Sequence, residues 1–362
     1  MVWNPLRLLK TLVHFDVFGP LSPGLRVLPG LARTDAAMSQ APPSLAPVSP
    51  PPKVVLLGGA GRTADRLSAA IQPLGYQVGT VAEGTDCPDI VNTAVVVGLP
   101  TEESDNPQTW IAQLGQRTPY EEATLIDFQP LDPAIAVLWG SLDDGVMGGV
   151  STSQVQWQQG LRFVGQVSTA NSGGFASIRT RNLEPPLDLG QWQGTVLQVQ
   201  GDGQRYKWIL RDSPGWDSLA YCRSFDTAAD SSSQIRTPFR AMVATRRART
   251  MPEATPLNPT QLYSMQLMLS KFEYDGELNP AFQAGAFGLT VRQVGVYRQG
   301  AKPLVVLPEG SSEVGAVLTA AGLTGVVPQG SGFEVVGASG HLPPEVTPEL
   351  VSSILQVVGV AG

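Results

Sequence analysis

The sequence predicts an α/β fold interrupted by an all-β one: an antiparallel β-sandwich inserted into a parallel-sheet domain. Three observations predict it. Residues 53–133 alternate strand-like and helix-like runs around a glycine-rich turn, residues 134–300 are short alternating segments split by Gly, Pro, Asp and Asn, and the strand and helix alternation returns over residues 301–362. Alternation of β and α implies parallel strands with helices on their faces. Domain ends usually lie close together, so one domain accepts another between two of its elements with little distortion.

Each element has a local reason. In the N-terminal arm, residues 1–35, Asn4 caps a helix, Pro5 suits its first turn and Gly19-Pro20 ends it. Leu6, Leu8, Leu9, Leu12, Val13 and Phe15 share one half of the helical wheel, and Arg7, Lys10, Thr11 and His14 share the other. Such an amphipathic basic helix over residues 1–19 either docks on an anionic membrane surface or a partner, or packs onto its own domain. Residues 36–52 carry six prolines from Pro42 to Pro52 and are expected to form an extended linker. Val54–Leu57, Tyr76–Val81, Thr93–Val97 and Thr124–Phe128 are predicted strands of the parallel sheet, with a helix reaching Ile71 and another over Asp105–Gln116. Arg162–Val167, Phe175–Thr180, Thr195–Gln200, Tyr206–Arg211, Leu262–Leu269 and Leu289–Val296 are predicted sandwich strands. Pro303–Leu307 and Phe333–Val336 read as strands of the returning α/β part, Ser311–Ala321 as a helix and Pro344–Val358 as an amphipathic one.

Composition narrows the function classes. The 39 glycines and 31 prolines in 362 residues favour turns and short strands over a helical bundle. A net charge of −7 argues against broad electrostatic binding to nucleic acid, so such a partner would have to be met by a local basic strip. Two cysteines, Cys87 and Cys222, and two histidines, His14 and His341, leave almost no material for a zinc site, a disulfide framework or a histidine-based triad. With no run of ~18 apolar residues and no compact secretory-signal pattern, the expectation is a cytoplasmic protein, peripheral at most on a membrane surface.

Three motifs carry the candidate chemistry. Gly58, Gly61 and Ala64 form a glycine turn between a strand and a helix, where backbone N–H groups and the helix dipole can face a pyrophosphate; Arg62 could pair with a phosphate and Glu83 with a ribose hydroxyl. The turn either binds a nucleotide such as NAD(P) or is a tight turn in a reduced Rossmann-like sheet. No tyrosine has a lysine four residues later, so the acidified-phenol reductase pair is missing and no catalytic residue is assigned. The segment Trp139–Ser151 places Asp143, Asp144, Met147 and Ser151 in a glycine-rich loop that either contacts a cation or a partner, or is braced internally by its own carboxylates. Arg236, Arg240, Arg246, Arg247 and Arg249 make a basic strip that could clamp phosphates, with Trp208, Trp216 and Tyr221 as stacking faces for single-stranded RNA, or else it is a solvated strand face.

The run Asp143–Ser151, followed by Asn171–Ser177, Tyr206–Asp212 and Thr237-Pro238-Phe239, resembles the complex I intermediate-associated protein 30 family over about residues 136–298. The resemblance implies a galactose-binding-like jelly-roll sandwich and an assembly factor rather than an enzyme. Its coupling to a short-chain-dehydrogenase-like unit is similar to photosynthetic members, including a chloroplast factor for translation of a photosystem II messenger at the thylakoid. The expected partners are therefore subunits or assembly intermediates of a photosynthetic or respiratory membrane complex. The Arg240, Arg246, Arg247 and Arg249 strip is available to RNA, and residues 1–19 to a membrane surface. The alternatives are an NAD(P)-binding reductase-like protein and a carbohydrate-binding module, the latter on fold analogy alone.

Overall fold

The computed structural model describes residues 9, 11, 12, 14, 15, 45–57, 61–81, 90–98, 107–129, 132–307, 314–329 and 332–358. These divide into two units, one from residues 49–122 and 298–362, the other from residues 1–48 and 123–297.

The first unit is built on a six-stranded sheet. Gln77–Val81, Lys53–Leu57, Thr93–Gly98, Leu304–Val306 and Thr324–Gln329 lie side by side and parallel, and Gly332–Gly337 runs antiparallel along the last of them. Thr93–Gly98 and Leu304–Val306 are buried throughout, which is why they read as continuous β-branched runs rather than as alternation. Helices cover both faces. Leu67 and Ile71 of helix Arg62–Ile71 pack on one face with Leu350, Val351 and Ile354 of Pro348–Val358. Ile111 and Leu114 of Pro107–Gln116 pack on the other with Leu318 of Gly315–Ala320.

One predicted strand belongs elsewhere. The strand at Thr124–Phe128, observed as Tyr120–Asp127, is outside this sheet and pairs with the long strand Gly285–Gln299. Ala123, Leu125, Ile126 and Phe128 join the core of the second unit. The unit boundaries therefore fall at 122/123 and 297/298 instead of 133/134 and 300/301.

The second unit is a β-sandwich. Its larger sheet has the order Arg249–Thr250, Val243–Arg246, Ala220–Asp226, Arg205–Arg211, Ser264–Ser270, Phe175–Thr180 and Trp139–Ser141, every pair antiparallel. The facing sheet runs Ser232–Pro238, Gly194–Gln200, Gly285–Gln299, Leu161–Val167 and Thr152–Trp157. Between them lies one core, in which Phe163, Val199, Leu289 and Val291 meet Ile178, Tyr206, Trp208 and Leu267. The buried Trp208 Nε1–H donates to Thr195 Oγ1 at 3.0 Å, so the largest core side chain has its one polar atom satisfied across the two sheets.

The N-terminal helix packs on this sandwich. Leu9, Thr11, Leu12 and His14 are helical, Thr11 Oγ1 donates to the Ser141 carbonyl at 3.4 Å, and the Phe15 ring lies 5.6 Å from that of Trp216. The rest of the expected helix lies outside the described residues. Of the expected linker, residues 45–52 are described and are anchored on the sandwich: Leu45 packs against its core, and Val48 exchanges two backbone hydrogen bonds with Thr124, at 2.8 and 2.9 Å. No described helix is long and apolar enough to cross a membrane.

Gly165 tests the sheet spacing. A Cβ there would collide with the Thr152 carbonyl oxygen and lie 2.9 Å from the Phe287 ring. Gly165→Ala should therefore part the Thr152–Trp157 and Leu161–Val167 strands, at a cost of about 1–3 kcal/mol. A urea melt should show a lower midpoint, and an unchanged midpoint would contradict the close approach.

Candidate functional site

The sequence of the Asp143-Asp144 loop resolves into a clamp. Asp143 is in extended backbone, so the two neighbouring side chains point in different directions. Asp143 Oδ2 accepts from the Ser153 backbone N–H at 2.8 Å, and its Oδ1 accepts from Ser153 Oγ at 2.6 Å and the Ser177 N–H at 3.0 Å. Ser153 and Ser177 stand on strands of different sheets, so this carboxylate ties the two sheets together at one edge. Asp144 Oδ1 accepts from the Ser151 N–H at 2.9 Å; its Oδ2 accepts from Ser151 Oγ at 2.6 Å and from the N–H groups of Gly174 and Phe175 at 2.8 and 3.3 Å. A Cβ at either Gly149 or Gly173 would collide with this same carboxylate.

This corrects the reading of Asp143, Asp144 and Ser151 as partner-facing residues. All three are buried, and their oxygens are engaged by loop and strand donors. Met147 alone of that group stands out, 80% exposed at the loop tip, just before Gly148 with its φ of +92°.

A second cluster was not singled out from the sequence. The outward face of the larger sheet carries Ser177, Arg179, Lys207, Ser264 and Gln266, all buried, and the half-buried Arg211. Lys207 is fully partnered: Nζ donates to the Phe272 carbonyl at 2.8 Å and to the Glu273 carbonyl, and lies 4.8 Å from the Tyr274 ring centre. Arg179 is not. Its Nε donates to Ser264 Oγ at 3.2 Å, and its guanidinium lies 5.5 Å from the Trp216 ring and 5.9 Å from that of Phe15. Taking a charge out of water costs several kcal/mol, against about 0.5–2 kcal/mol for ring contacts and ~1.5–3 kcal/mol for one hydrogen bond to a charged group. Burial, with the neighbouring Arg211 charge, pushes the Arg179 guanidinium down to about 9. Burial likewise lowers Arg211, whose Nη1 donates to the Ser218 carbonyl at 2.7 Å while its buried Nε has no partner. The signal for this covered face was the apolar character of its outward positions: Ile209, Ala220 and Cys222 are buried there beside Met268 and Tyr274.

The basic strip is divided. Arg246 and Arg249 face each other across a hairpin whose turn residues Arg247 and Ala248 have positive φ, while Arg236 stands on the other sheet and the exposed Arg240 follows it in a short 3₁₀ turn. Arg247 is paired with Asp217 at 2.8 Å, both exposed. The expected stacking platform does not form, since Trp208 and Tyr221 are core residues and only Trp216 is half-buried outside it. In the other unit, Gly61 has a φ of +70° at the start of its helix with no side-chain cap, Arg62 is exposed, and Ala64 packs towards the sheet core. Gly58 and Glu83 lie outside the described residues.

Residues 126–291 match the model of the complex I intermediate-associated protein 30 family. The match spans most of the sandwich. No curated protein matches the chain. Among solved structures, the family 11 carbohydrate-binding module of the cellulase Lic26A-Cel5E of Clostridium thermocellum is similar at 15% identity and TM-score 0.35, covering 50% of this chain and 95% of that one. The N-terminal cellulose-binding domain of the Cellulomonas fimi β-1,4-glucanase C is similar at 11% identity and TM-score 0.24, over 46% and 90%. The agarase AgWH50C is similar at 8% identity and TM-score 0.32, over 49% of this chain but 26% of its own. At such TM-scores these likenesses say nothing about what the chain binds.

In this sandwich Asp144 receives four hydrogen bonds, three of them from buried donors. Asp144→Ala should therefore cost stability well beyond an ordinary surface change, about 3–5 kcal/mol, because each stranded donor loses its partner. Chemical denaturation measures it. A loss under about 1 kcal/mol would mean that the carboxylate is not bracing the loop.

Proposed function

We propose that this protein is a noncatalytic assembly or biogenesis factor for a photosynthetic or respiratory membrane complex, acting by presenting a stiff recognition surface to subunits in transit. The observation that carries this reading is the family match over residues 126–291, whose description names association with a complex I intermediate. The site geometry supports it. The distinctive aspartates are engaged in holding the loop.

Met147 is the recognition residue in this reading. An unbranched, polarizable side chain on a rigid loop suits contact with apolar surfaces of differing shape, and the clamp beneath it removes most of the ordering cost of binding. The association of the sandwich with an α/β unit supports the photosynthetic branch, with the thylakoid surface as the place of work. RNA contact is a narrower proposal resting on exposed Arg246 and Arg249, since Arg247 is paired and the aromatic platform is missing. For NAD(P), Gly61 with Arg62 remains the place to look.

Affinity purification from membranes of the native host tests the main proposal. The wild-type protein should bring down subunits of one membrane complex. Met147→Asp should melt at the same temperature and recover about tenfold less of them, as expected when a charge is placed in an apolar contact. Equal recovery would remove Met147 from the interface, and substrate turnover by the purified protein would overturn the noncatalytic reading.

A further inference from the structure

The outward face of the larger sandwich sheet holds two cations, Arg179 and Arg211, that form no ion pair with a carboxylate among the described residues. Their placement follows from register: Arg179 is opposite Gln266, and Arg211 is opposite Ser264, on neighbours of the same central strand. Ser264 and Gln266 are two residues apart and so share a face. The four side chains step across three strands, with Ser264 and Gln266 on the central one and an arginine on each side.

The described acids nearby are engaged elsewhere, although Asp217 also favours the charged form of Arg211. Among the described residues no carboxylate forms an ion pair with Arg179 or Arg211. Asp217 gives its carboxylate to Arg247 at 2.8 Å, and Glu273 accepts from Ser224 Oγ and lies 3.8 Å from Arg205. Arg179 uses one of its five N–H donors, on Ser264 Oγ, and the buried Arg211 Nε–H donates to nothing. Between them lies an unanswered acceptor. Gln266 Nε2 donates to Ser177 Oγ at 3.0 Å, and its buried Oε1 has no partner. The amide cannot be turned round: the single Ser177 hydroxyl proton goes to the Leu142 carbonyl, so Ser177 Oγ can only accept from Gln266.

We propose that Arg179, Arg211, Ser264 and Gln266 form a binding site for an oxyanion, a carboxylate or phosphate carried by a small hydroxylated ligand. The oxyanion takes the free guanidinium donors, which are shaped for paired acceptance by such groups. An adjacent hydroxyl of the ligand donates to Gln266 Oε1. Phe15 and Trp216, over the Arg179 guanidinium, are the cover of the site and exclude water from it. Lys207 on the same face, satisfied by two carbonyls and a ring, serves as the internal contrast: it anchors a loop and is no part of the site.

Calorimetric titration of the full chain with inorganic phosphate, D-galacturonate and uncharged D-galactose tests the proposal. Saturable one-site binding is expected for at least one charged probe and none for galactose. Binding of phosphate alone marks a phosphate-bearing ligand, and binding of galacturonate alone a carboxylate. Arg179→Met and Arg211→Met should each weaken the bound probe at least about tenfold. If the buried Arg179 variant loses its cooperative melt, the half-buried Arg211 variant decides. Tryptophan fluorescence adds location, since the change on binding should vanish in Trp216→Phe while the heat signal persists. Failure of both charged probes at millimolar concentration, equal binding of galactose, or wild-type affinity in the folded arginine variants would each overturn it.

Discussion

Two adjacent buried carboxylates hold one edge of the sandwich together, and much of the local sequence is a consequence. Asp143 collects donors from strands of both sheets, and Asp144 collects them from the two glycine loops that flank it. Buried carboxylates are costly unless their lone pairs are filled, and here seven donors fill them. Gly149 and Gly173 lack a Cβ because Asp144 occupies that space, so the aspartates and glycines form one interdependent unit. A loop of this kind cannot be altered one residue at a time without stranding a donor or creating a clash. Its rigidity is what allows Met147 to be held out in solvent at a fixed position.

Most of the sandwich was legible because period-2 alternation was bounded by turn residues. Phe175–Thr180 is observed at the predicted positions, and Tyr206–Arg211 and Thr195–Gln200 each gain one residue at the start. Ser232–Pro238 and Thr152–Trp157 were missed because their apolar content is low, Ser232–Pro238 being an edge strand with one buried residue, and Ala220–Asp226 because its apolar residues run together at Ala220–Cys222 instead of alternating. Tyr120–Asp127 was assigned to the wrong sheet for a different reason. A short apolar run records that a strand is buried, not which neighbour buries it, and here the neighbour, Gly285–Gln299, lies over 150 residues away.

The candidate site was less legible, and the reason is again physical. Sequence showed that Asp143 and Asp144 could either face a partner or brace their loop; only the positions of Ser151, Ser153, Gly174 and Ser177 around them decide for bracing. The basic strip looked continuous because Arg236 to Arg249 are close in the chain, yet the chain crosses from one sheet to the other between Arg236 and Arg246. Conversely, Arg179 and Arg211 are 32 positions apart and meet only through the strand Ser264–Ser270 that lies between their own. Alternation placed both on the outward face, where a charged side chain ordinarily reaches water.

That outward face separates two uses of buried polarity. Within the one strand Arg205–Arg211, Lys207 is answered by protein carbonyls, Ile209 packs against Cys222 and Met268, and Arg211 is left short of partners. A fold that needed only to seal this face would gain by continuing the apolar pattern through Arg211 and Arg179, since well-packed hydrophobic residues commonly replace buried charges without loss. The contrast is sharper because Arg205, six residues from Arg211 on the same strand, has a bidentate partner in Asp226 at 2.7 Å. The same sheet thus satisfies its cations where they are structural. Across Arg179, Gln266, Ser264 and Arg211 it leaves donors and one acceptor unanswered, the condition under which a bound ligand offsets the cost of burying charge.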